Sequence, residues 1–319
     1  VAVVDANGDG RPDLISANNE ANTLTVLTNN GNGGFGSNAT LAVGSGPYGV
    51  AAADINGDGK QDLVSVNNLA NTLTVLTNNG NGGFGSNATL TVGSYPVFVV
   101  AADVNGDAKL DLICANNGTN TLTVLTNNGS GRFGFKATLT VGNRPYGIAA
   151  ADLNGNGKLD LISANFNDDT LTVLTNNGSG GFGSNATLTV GSGPYAVVAV
   201  DVNGDGKKGL ISANYNAGTL TVLTNNGGGR FGSNATLTVS GYPDALVATD
   251  LNGDGKMDLI SANLSAYPNA GTLTMLTNNG TGGFGSNTVV SVGLQPFSLA
   301  AADLNGDGTV DLISANHGR

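Results

Sequence analysis

Carboxylate and amide side chains at alternate positions of a short loop recur seven times along this chain of 319 residues. The pattern D-x-N-G-D-G-x-x-D-L, with small variations, begins at Asp5, Asp54, Asp103, Asp152, Asp201, Asp250 and Asp303. These loops hold 19 of the 23 Asp and Glu residues. Clustered carboxylates repel one another unless a cation lies among them. The pattern therefore predicts metal binding, and oxygen ligands without His or Cys favour Ca²⁺.

Each loop offers five candidate ligand positions. The side chains at positions one, three and five alternate, and glycines at four and six allow a sharp turn. Position seven offers a backbone carbonyl, and position nine is an Asp that leads into a strand. We expect up to seven structural Ca²⁺ ions, and the alternative is a set of metal-free Asx turns. The candidate ligands are Asp5, Asn7, Asp9, Arg11, Asp13, Asp54, Asn56, Asp58, Lys60, Asp62, Asp103, Asn105, Asp107, Lys109, Asp111, Asp152, Asn154, Asn156, Lys158, Asp160, Asp201, Asn203, Asp205, Lys207, Asp250, Asn252, Asp254, Lys256, Asp258, Asp303, Asn305, Asp307, Thr309 and Asp311.

Three loops depart from this pattern. Ala108 stands where the other loops have glycine, which predicts a strained turn. Asn156 removes one charge from the fourth loop, and Gly209 removes the carboxylate at position nine of the fifth. We expect the fifth loop to bind its ion most weakly. Position twelve is Ser or Cys rather than the Glu of an EF-hand, so each site is a strand–loop–strand site.

The formal net charge of −11 describes the metal-free chain. Seven Ca²⁺ ions would bring it to about +3. No run of 18 apolar residues and no basic patch with interleaved aromatics occurs, which argues against membrane insertion and nucleic-acid binding. Because such sites fill where free calcium is high, we expect the protein outside cells or at the cell surface. The start at Val1 suggests a mature or excised segment.

The elements that carry the loops repeat with the same period. Successive loops start 49 residues apart five times and 53 residues apart once. One unit holds a small-residue strand, the Asp loop, a second strand, a T-L-T-V-L-T strand with period-two alternation, and a fourth strand. Four short strands at this spacing are typical of a β-propeller blade. The small first strand suits the innermost position of a blade, and the Thr-rich third strand suits an outer, half-solvated one.

The loops and two further motifs resemble the FG-GAP/VCBS repeat family, which includes the integrin α-subunit propeller and some propeller lectins. Phe-Gly pairs follow the third strand at Phe35, Phe84, Phe133, Phe182, Phe231 and Phe284, and a proline precedes each new first strand. The resemblance covers the whole chain. It implies an all-β propeller as one domain over residues 1–319, with seven blades and calcium in loops like these.

The repeat count leaves the blade number open. Seven Asp loops accompany only six T-L-T strands and six Phe-Gly turns, so the seventh unit lacks its third and fourth strands. The count favours a seven-bladed propeller with an incomplete last blade. The alternatives are six full blades plus a hairpin, or a fragment of a longer array.

The sequence gives catalysis little support, and we expect no enzyme. His317 is the only histidine and lies near the end of the chain, where we expect a solvated tail. Variation between units gathers in two connections, from strand two to three and from strand four to the next strand one. Antiparallel strands place both opposite the Asp loops. Aromatic residues there are candidate ligand-binding residues: Tyr48, Tyr146, Tyr195, Tyr215 and Phe297.

Two functions fit this pattern. The first is a secreted, calcium-binding scaffold for adhesion or interaction with an extracellular protein or glycan. The alternative is a lectin whose sugar sites lie on the face opposite the calcium loops. The variable sixth connection, which includes Leu264 and Tyr267, belongs to the same face. Drift in surface loops would produce the same variation without any ligand.

Overall fold

A computed structural model describes residues 1–265 and 269–317, with backbone alone at 37–38, 86–87, 184–185, 233–234 and 286–287. The described residues form 26 strands and no helix. They accordingly include no helix long and apolar enough to cross a membrane. The prediction of an all-β chain is confirmed.

Three four-stranded sheets follow one another in the first part of the chain, each in the order of the sequence. The first blade holds β1 (Ala2–Val4), β2 (Asp13–Asn18), β3 (Thr23–Asn29) and β4 (Phe35–Ala42). The second holds β5 (Pro47–Ala53), β6 (Asp62–Asn67), β7 (Thr72–Asn78) and β8 (Phe84–Thr91). The third holds β9 (Pro96–Ala102), β10 (Asp111–Asn116), β11 (Thr121–Asn127) and β12 (Phe133–Thr140).

Three further sheets repeat this order. The fourth blade holds β13 (Pro145–Ala151), β14 (Asp160–Asn165), β15 (Thr170–Asn176) and β16 (Phe182–Thr189). The fifth holds β17 (Pro194–Val200), β18 (Gly209–Asn214), β19 (Thr219–Asn225) and β20 (Phe231–Thr238). The sixth holds β21 (Tyr242–Thr249), β22 (Asp258–Leu264), β23 (Thr272–Asn278) and β24 (Phe284–Ser291), and a two-stranded sheet of β25 (Pro296–Ala302) and β26 (Asp311–Asn316) follows.

The fold class is therefore an all-β propeller with six four-stranded blades and a hairpin. This agrees with the alternative of six full blades plus a hairpin, because the seventh unit forms two strands rather than a blade. By contacts the chain divides into two compact units. The first holds Val1–Pro145, Gly178–Gly181 and Ala302–Asp311, and the second holds Tyr146–Asn177, Phe182–Ala301 and Leu312–Arg319. A single domain over 1–319 stays a prediction.

The second and third strands carry the core of each blade. All six residues of β6 are buried, and β7 pairs with it from Leu63↔Leu76 to Asn67↔Thr72. The expectation that the Thr-rich strand lies at a half-solvated outer position is wrong, because β7 lies between β6 and β8 and Thr74 is only 4% exposed. Its hydroxyl is buried because it accepts a hydrogen bond from the amide of Asn67 at 2.9 Å. The fourth strand is the exposed one, as the alternating pattern of β12 illustrates.

Cys114 lies in the third blade and is fully buried in β10. Burial raises the pKa of its thiol far above the ordinary value. The side chain therefore packs as a small apolar residue.

The first strands begin with a bulge that directs one side chain out of the sheet pattern. The register shifts between Pro47 and Gly49 in the second blade, between Pro194 and Ala196 in the fifth, and between Pro243 and Ala245 in the sixth. A bulge re-aims the extra residue. The bulged residues are Tyr48, Tyr195 and Asp244. In these blades the bulge thus gives the variable residue after the proline a different direction from its neighbours in the strand.

Gly147 allows the first strands of two blades to approach closely. A Cβ built at this residue of β13 would lie 2.9 Å from the carbonyl oxygen of Tyr195 and 3.0 Å from the Cα of Ala196 in β17. These are backbone atoms, which cannot rotate away. We expect Gly147→Ala to lower the free energy of unfolding by roughly 1–3 kcal/mol through overpacking. Thermal melting measures the loss.

Gly49→Ala is the matched control. Gly49 occupies the same place in the second blade, but its Cβ would lie 3.4 Å from the carbonyl of Val97, which is an ordinary contact. Its φ is not in the left-handed region. We expect the control to melt at an unchanged or slightly higher temperature, since alanine restricts the unfolded chain. Equal losses in the two variants would contradict a role for close strand approach at Gly147.

Candidate functional site

Each Asp loop is a turn tied together by its own side chains. In the first loop the carboxylate of Asp5 accepts hydrogen bonds from the backbone N–H of Gly8 at 2.7 Å and of Gly10 at 2.8 Å. Asn7 accepts from the N–H of Asp9 at 2.9 Å, and Asp9 accepts from the N–H of Arg11 at 2.9 Å. The glycines have φ of 80° and 83°, which only glycine adopts without strain. Positions one, three and five are thus held by one pattern of backbone bonds.

The same pattern recurs in the other loops. Asp54 accepts from Gly57 and Gly59, and Asp250 accepts from Gly253 and Gly255, at 2.7–2.9 Å. The N–H bond from Gly255 lowers the pKa of Asp250 most, so the folded loop favours the charged carboxylate. The same backbone N–H groups therefore hold the position-one carboxylate in each of these loops.

The Asp at position nine has a structural role. Asp62 is fully buried, and its two oxygens accept hydrogen bonds from the backbone N–H of Ile55 at 3.1 Å and of Asn78 at 2.7 Å. Asp13 does the same with Ala6 at 3.0 Å and Asn29 at 2.8 Å. Equivalent pairs of bonds are made by Asp111, Asp160 and Asp258. This carboxylate joins the loop to the end of the third strand.

Burial and neighbouring carboxylates disfavour the charged form of these residues. Burial raises the pKa of Asp13, and the charges of Asp9 and Asp5 raise it further, while the N–H bonds from Asn29 and Ala6 lower it. Burial likewise raises the pKa of Asp62, with a further contribution from the charge of Asp58. A cation in the loop would relieve both the burial cost and the repulsion.

The last residue of the third strand fixes neighbouring units to one another. The side-chain amide of Asn78 donates to the carbonyl of Gln61 in its own loop and to the carbonyl of Ala6 in the preceding loop. The bonds to preceding loops measure 2.6–2.9 Å, and they join Asn78 to Ala6, Asn127 to Ile55, Asn225 to Leu153 and Asn278 to Val202. Asn29 bonds in the same way to Leu304 of the seventh loop at 2.7 Å.

Each of the three loops that depart from the pattern shows a structural difference at its substituted residue. Ala108 has a φ of 64°, so the strained turn expected there is present. Asn156 keeps the N–H bond from Lys158 at 2.9 Å but lacks the charge. At Gly209 a Cβ would lie 2.7 Å from the carbonyl of Leu223, so the fifth loop has no room for the missing Asp without a backbone shift.

The donor set fits Ca²⁺ in type. The loops supply carboxylate, amide and carbonyl oxygens, which hard cations prefer. Within the described ranges no three Asp, Glu, His or Cys side chains converge as a metal cluster, so the asparagine and main-chain oxygens would have to complete each site. In four loops a lysine at position seven lies 3.2–3.7 Å from the Asp at position five. A bound ion would compete with that exposed ammonium, whose pairing is weak. Calcium binding by these residues stays a prediction.

Five aromatic rings lie together at the ends of the fourth, fifth and sixth blades that are opposite the Asp loops. We call Tyr146, Phe166, Tyr195, Tyr215 and Tyr242 the aromatic cluster. Tyr146 and Tyr195 stack with centroids 4.2 Å apart, and Tyr215 and Tyr242 stack at 5.3 Å. Phe166 meets Tyr146 edge-on at 5.4 Å and lies 6.2 Å from Tyr215. All five belong to the second compact unit.

The cluster contains three of the five predicted ligand residues, Tyr146, Tyr195 and Tyr215. Phe297 instead packs edge-on against His317 at 5.6 Å, and the N–H of His317 donates to the carbonyl of Gln295. The terminal histidine is exposed, as expected, but it is held in place. Tyr48 belongs to the first compact unit and is 46% exposed. Tyr267 lies outside the described residues.

Tyr242 enters the cluster because the sixth blade starts differently. The other blades have V-G-S-G-P or a similar sequence before the first strand, whereas the sixth has V-S-G-Y-P. Gly241 takes the positive φ of 113°, and β21 begins one residue earlier, with Tyr242 paired to Leu264. The displaced glycine is the signal that sequence reasoning passed over.

Comparison with known families assigns the repeats. The sequence profile described as FG-GAP-like repeat matches residues 5–65, 54–114, 103–163, 152–212, 201–261 and 250–314. The chain belongs to the FG-GAP-like repeat family. The resemblance drawn from the Asp loops, the Phe-Gly pairs and the prolines is thereby confirmed. A comparison with curated protein sequences finds no match.

Several solved structures share the fold of this FG-GAP-like chain at low sequence identity. BBS1N, solved in complex with ARL6DN, is 14% identical with a TM-score of 0.69, covering 98% of this chain and 88% of that one. A functionally unknown protein from Desulfotomaculum acetoxidans DSM 771 is 13% identical with a TM-score of 0.68, covering 88% and 80%. A protein from Lactobacillus plantarum is 16% identical with a TM-score of 0.63, covering 92% and 88%. These likenesses concern the fold alone.

Proposed function

We propose that this FG-GAP-like chain is an extracellular, non-catalytic binding module whose Asp loops hold structural Ca²⁺. The observation that carries the proposal is the recurring pair of backbone hydrogen bonds in the loops, which keeps the carboxylate oxygens of position one in the same arrangement. Buried carboxylates next to them, such as Asp13 and Asp62, carry charge that a cation would offset. When bound, the ion would supply the compensating positive charge and hold each loop to its blade.

Hydrogen bonds within the chain hold the Asp loops in place without the ion. Asp5 holds the glycines of its loop, and Asp13 holds the loop to the third strand. Asn29 and its equivalents then join the loop of one unit to the next blade. The loops thus stabilise a scaffold, and the opposite ends of the blades remain available for an extracellular protein or glycan. The thermal test of calcium binding is argued in the Discussion.

A lectin is the second candidate, and the aromatic cluster favours it. Stacked tyrosines beside polar side chains are suited to contact with a sugar ring. A glycan array probed in calcium and in chelator separates the two candidates. For a lectin we expect binding to one sugar class, lost when Tyr195 and Tyr215 are replaced by alanine.

The matched control for the array is Phe135→Ala, an exposed aromatic outside the aromatic cluster. It should leave any sugar binding unchanged. An array that stays blank in calcium would overturn the lectin candidate and leave the scaffold for a protein ligand. Sugar binding that survives in both cluster variants would place the sugar site elsewhere.

A further inference from the structure

Asp244 is a carboxyl group buried beside aromatic rings. It occupies the bulge after Pro243, where the other blades carry Tyr, Val or Phe, and it is only 4% exposed. Within residues 1–265 and 269–317 no hydrogen bond or ion pair reaches its carboxyl group. Buried carboxylates elsewhere in the chain, such as Asp62, each accept two N–H bonds. Among the described buried carboxylates, Asp244 is therefore the exception, because its carboxyl group accepts no hydrogen bond.

The carboxyl group belongs to the same strand start as a ring of the aromatic cluster, because Asp244 lies two residues after Tyr242 in β21. Burial raises the pKa of the Tyr215 phenol, and the charges of Asp244 and then Tyr242 raise it further. Tyr215 and Tyr242 stack with centroids 5.3 Å apart, and Tyr242 is 44% exposed. An accessible ring, a half-buried ring and a buried acid thus lie together at one end of the fifth and sixth blades.

Both the aromatic rings and the buried acid favour a positively charged ligand. The faces of aromatic rings carry negative partial charge and bind cations, most strongly where water is excluded. A buried carboxylate without a partner is costly, and an ammonium ion with an N–H would supply both the charge and the hydrogen bond that it lacks. No lysine or arginine of the described chain pairs with Asp244. A ligand is then the available source of a cation for the charged form of Asp244.

We propose that Asp244, Tyr215 and Tyr242 form a binding site for an alkylammonium ion, with the N–H donated to Asp244 and the alkylammonium head against the two rings. The proposal rests on the aromatic cluster being a ligand surface, as the binding-module function requires, but it does not depend on calcium or on a sugar.

The burial of Asp244 favours a small ligand over a sugar. Only 4% of the residue is exposed, which suits a single small donor group, whereas a sugar ring needs several hydrogen-bonding partners for its hydroxyls. The titratable group on which the charge of Asp244 acts is the phenol of Tyr215, and the charge of Tyr242 acts on the same phenol. Burial raises the pKa of Asp244 well above the ordinary range. An entering ammonium ion favours the charged carboxylate, so its binding strengthens as the pH rises through that pKa.

Titration with n-butylammonium chloride tests the proposal, with n-butanol as the neutral probe of equal chain length. Binding is followed by tyrosine ring resonances in NMR spectra, since four of the seven tyrosines belong to the cluster. We expect saturable shifts with butylammonium and none with butanol. Asp244→Asn should weaken binding by roughly tenfold or more, and Tyr242→Leu by roughly fivefold. Tyr242→Phe, which keeps the ring, should bind as the native chain does.

Asp168→Asn is the control for net charge, because it removes one exposed carboxylate from the same compact unit. It should leave binding unchanged. Equal binding of butanol and butylammonium would overturn the proposal in favour of an apolar surface, and so would unaltered binding in Asp244→Asn. Absence of saturable shifts in the native chain would also overturn it. A positive glycan array in that case would show that the cluster binds a sugar, so the binding-module function would survive the loss of this inference.

Discussion

Asp62→Ala is expected to lower the free energy of unfolding by about 2–4 kcal/mol, measured in calcium-free buffer. The substitution leaves the backbone N–H groups of Ile55 and Asn78 buried without their acceptor. Each such group costs about 1–3 kcal/mol. Relief of the buried charge offsets part of this loss, because burial already raises the pKa of Asp62. The midpoint of guanidinium unfolding, followed by circular dichroism in chelator, measures the change.

Two variants separate the hydrogen bonds from the charge. Asp62→Asn keeps one acceptor oxygen and removes the charge, so its loss should be smaller than that of Asp62→Ala. Asp58→Ala removes a carboxylate of the same loop whose side chain is 38% exposed, and without calcium it should change stability by no more than about 0.5 kcal/mol. If Asp58→Ala and Asp62→Ala cost the same in chelator, the position-nine carboxylate has no special structural role.

Calcium is expected to raise the melting temperature of the whole chain by more than 10 °C over its value in chelator. An ion present at 100 times its dissociation constant stabilises the folded state by about 2.7 kcal/mol. For a chain of 319 residues this corresponds to a shift of about 4 °C for each ion. Three or more filled loops would therefore exceed 10 °C. Differential scanning calorimetry with calcium, magnesium and chelator measures the effect, and magnesium should do less because it retains its water shell.

A pair of loop variants tests whether the ions lie in the Asp loops. Asp58→Asn changes the second loop, which has all its oxygens, and it should remove about 4 °C of the calcium-dependent shift. Asp205→Asn makes the same change in the fifth loop, which lacks the position-nine carboxylate, and it should remove little. A melting temperature that is equal in calcium and chelator would refute the proposed calcium binding. Equal effects of the two variants would refute the expected ranking of the loops.

Much of the fold could be predicted because it is written in short, repeated patterns. The alternation of T-L-T-V-L-T, the glycines of the Asp loop and the Phe-Gly turn each specify local structure. Blade number was harder, since the seventh unit supplies a loop and two strands but no blade. The exposure of the third strand was misjudged because a threonine hydroxyl such as that of Thr74 reads as polar surface. Its buried partner, the amide of Asn67, comes from the neighbouring strand.

The candidate site, like the fold, could be predicted where its residues are close together in the sequence and not where separate blades bring them together. The oxygens of the Asp loop could be predicted because their spacing within ten residues is the site itself. The aromatic cluster could be predicted only in part, since Tyr146 meets Tyr195, and Tyr215 meets Tyr242, through the packing of separate blades. The inter-blade bonds were missed because the acceptor of Asn78 is the backbone carbonyl of Ala6, which leaves no signature in the sequence.

Those bonds from asparagine to a backbone carbonyl bear on how such a chain lengthens by duplication. In the bonds that the structure describes, the donor is the last residue of a third strand, and the acceptor is a main-chain oxygen at a fixed place in the preceding unit, whatever side chain stands there: Ala6, Ile55, Leu153 or Val202. An inserted copy of one unit would bring its own donor and its own acceptor. No neighbouring residue would need to change to receive it. A gene encoding such an array can gain a unit in a single recombination event with its junctions already compatible.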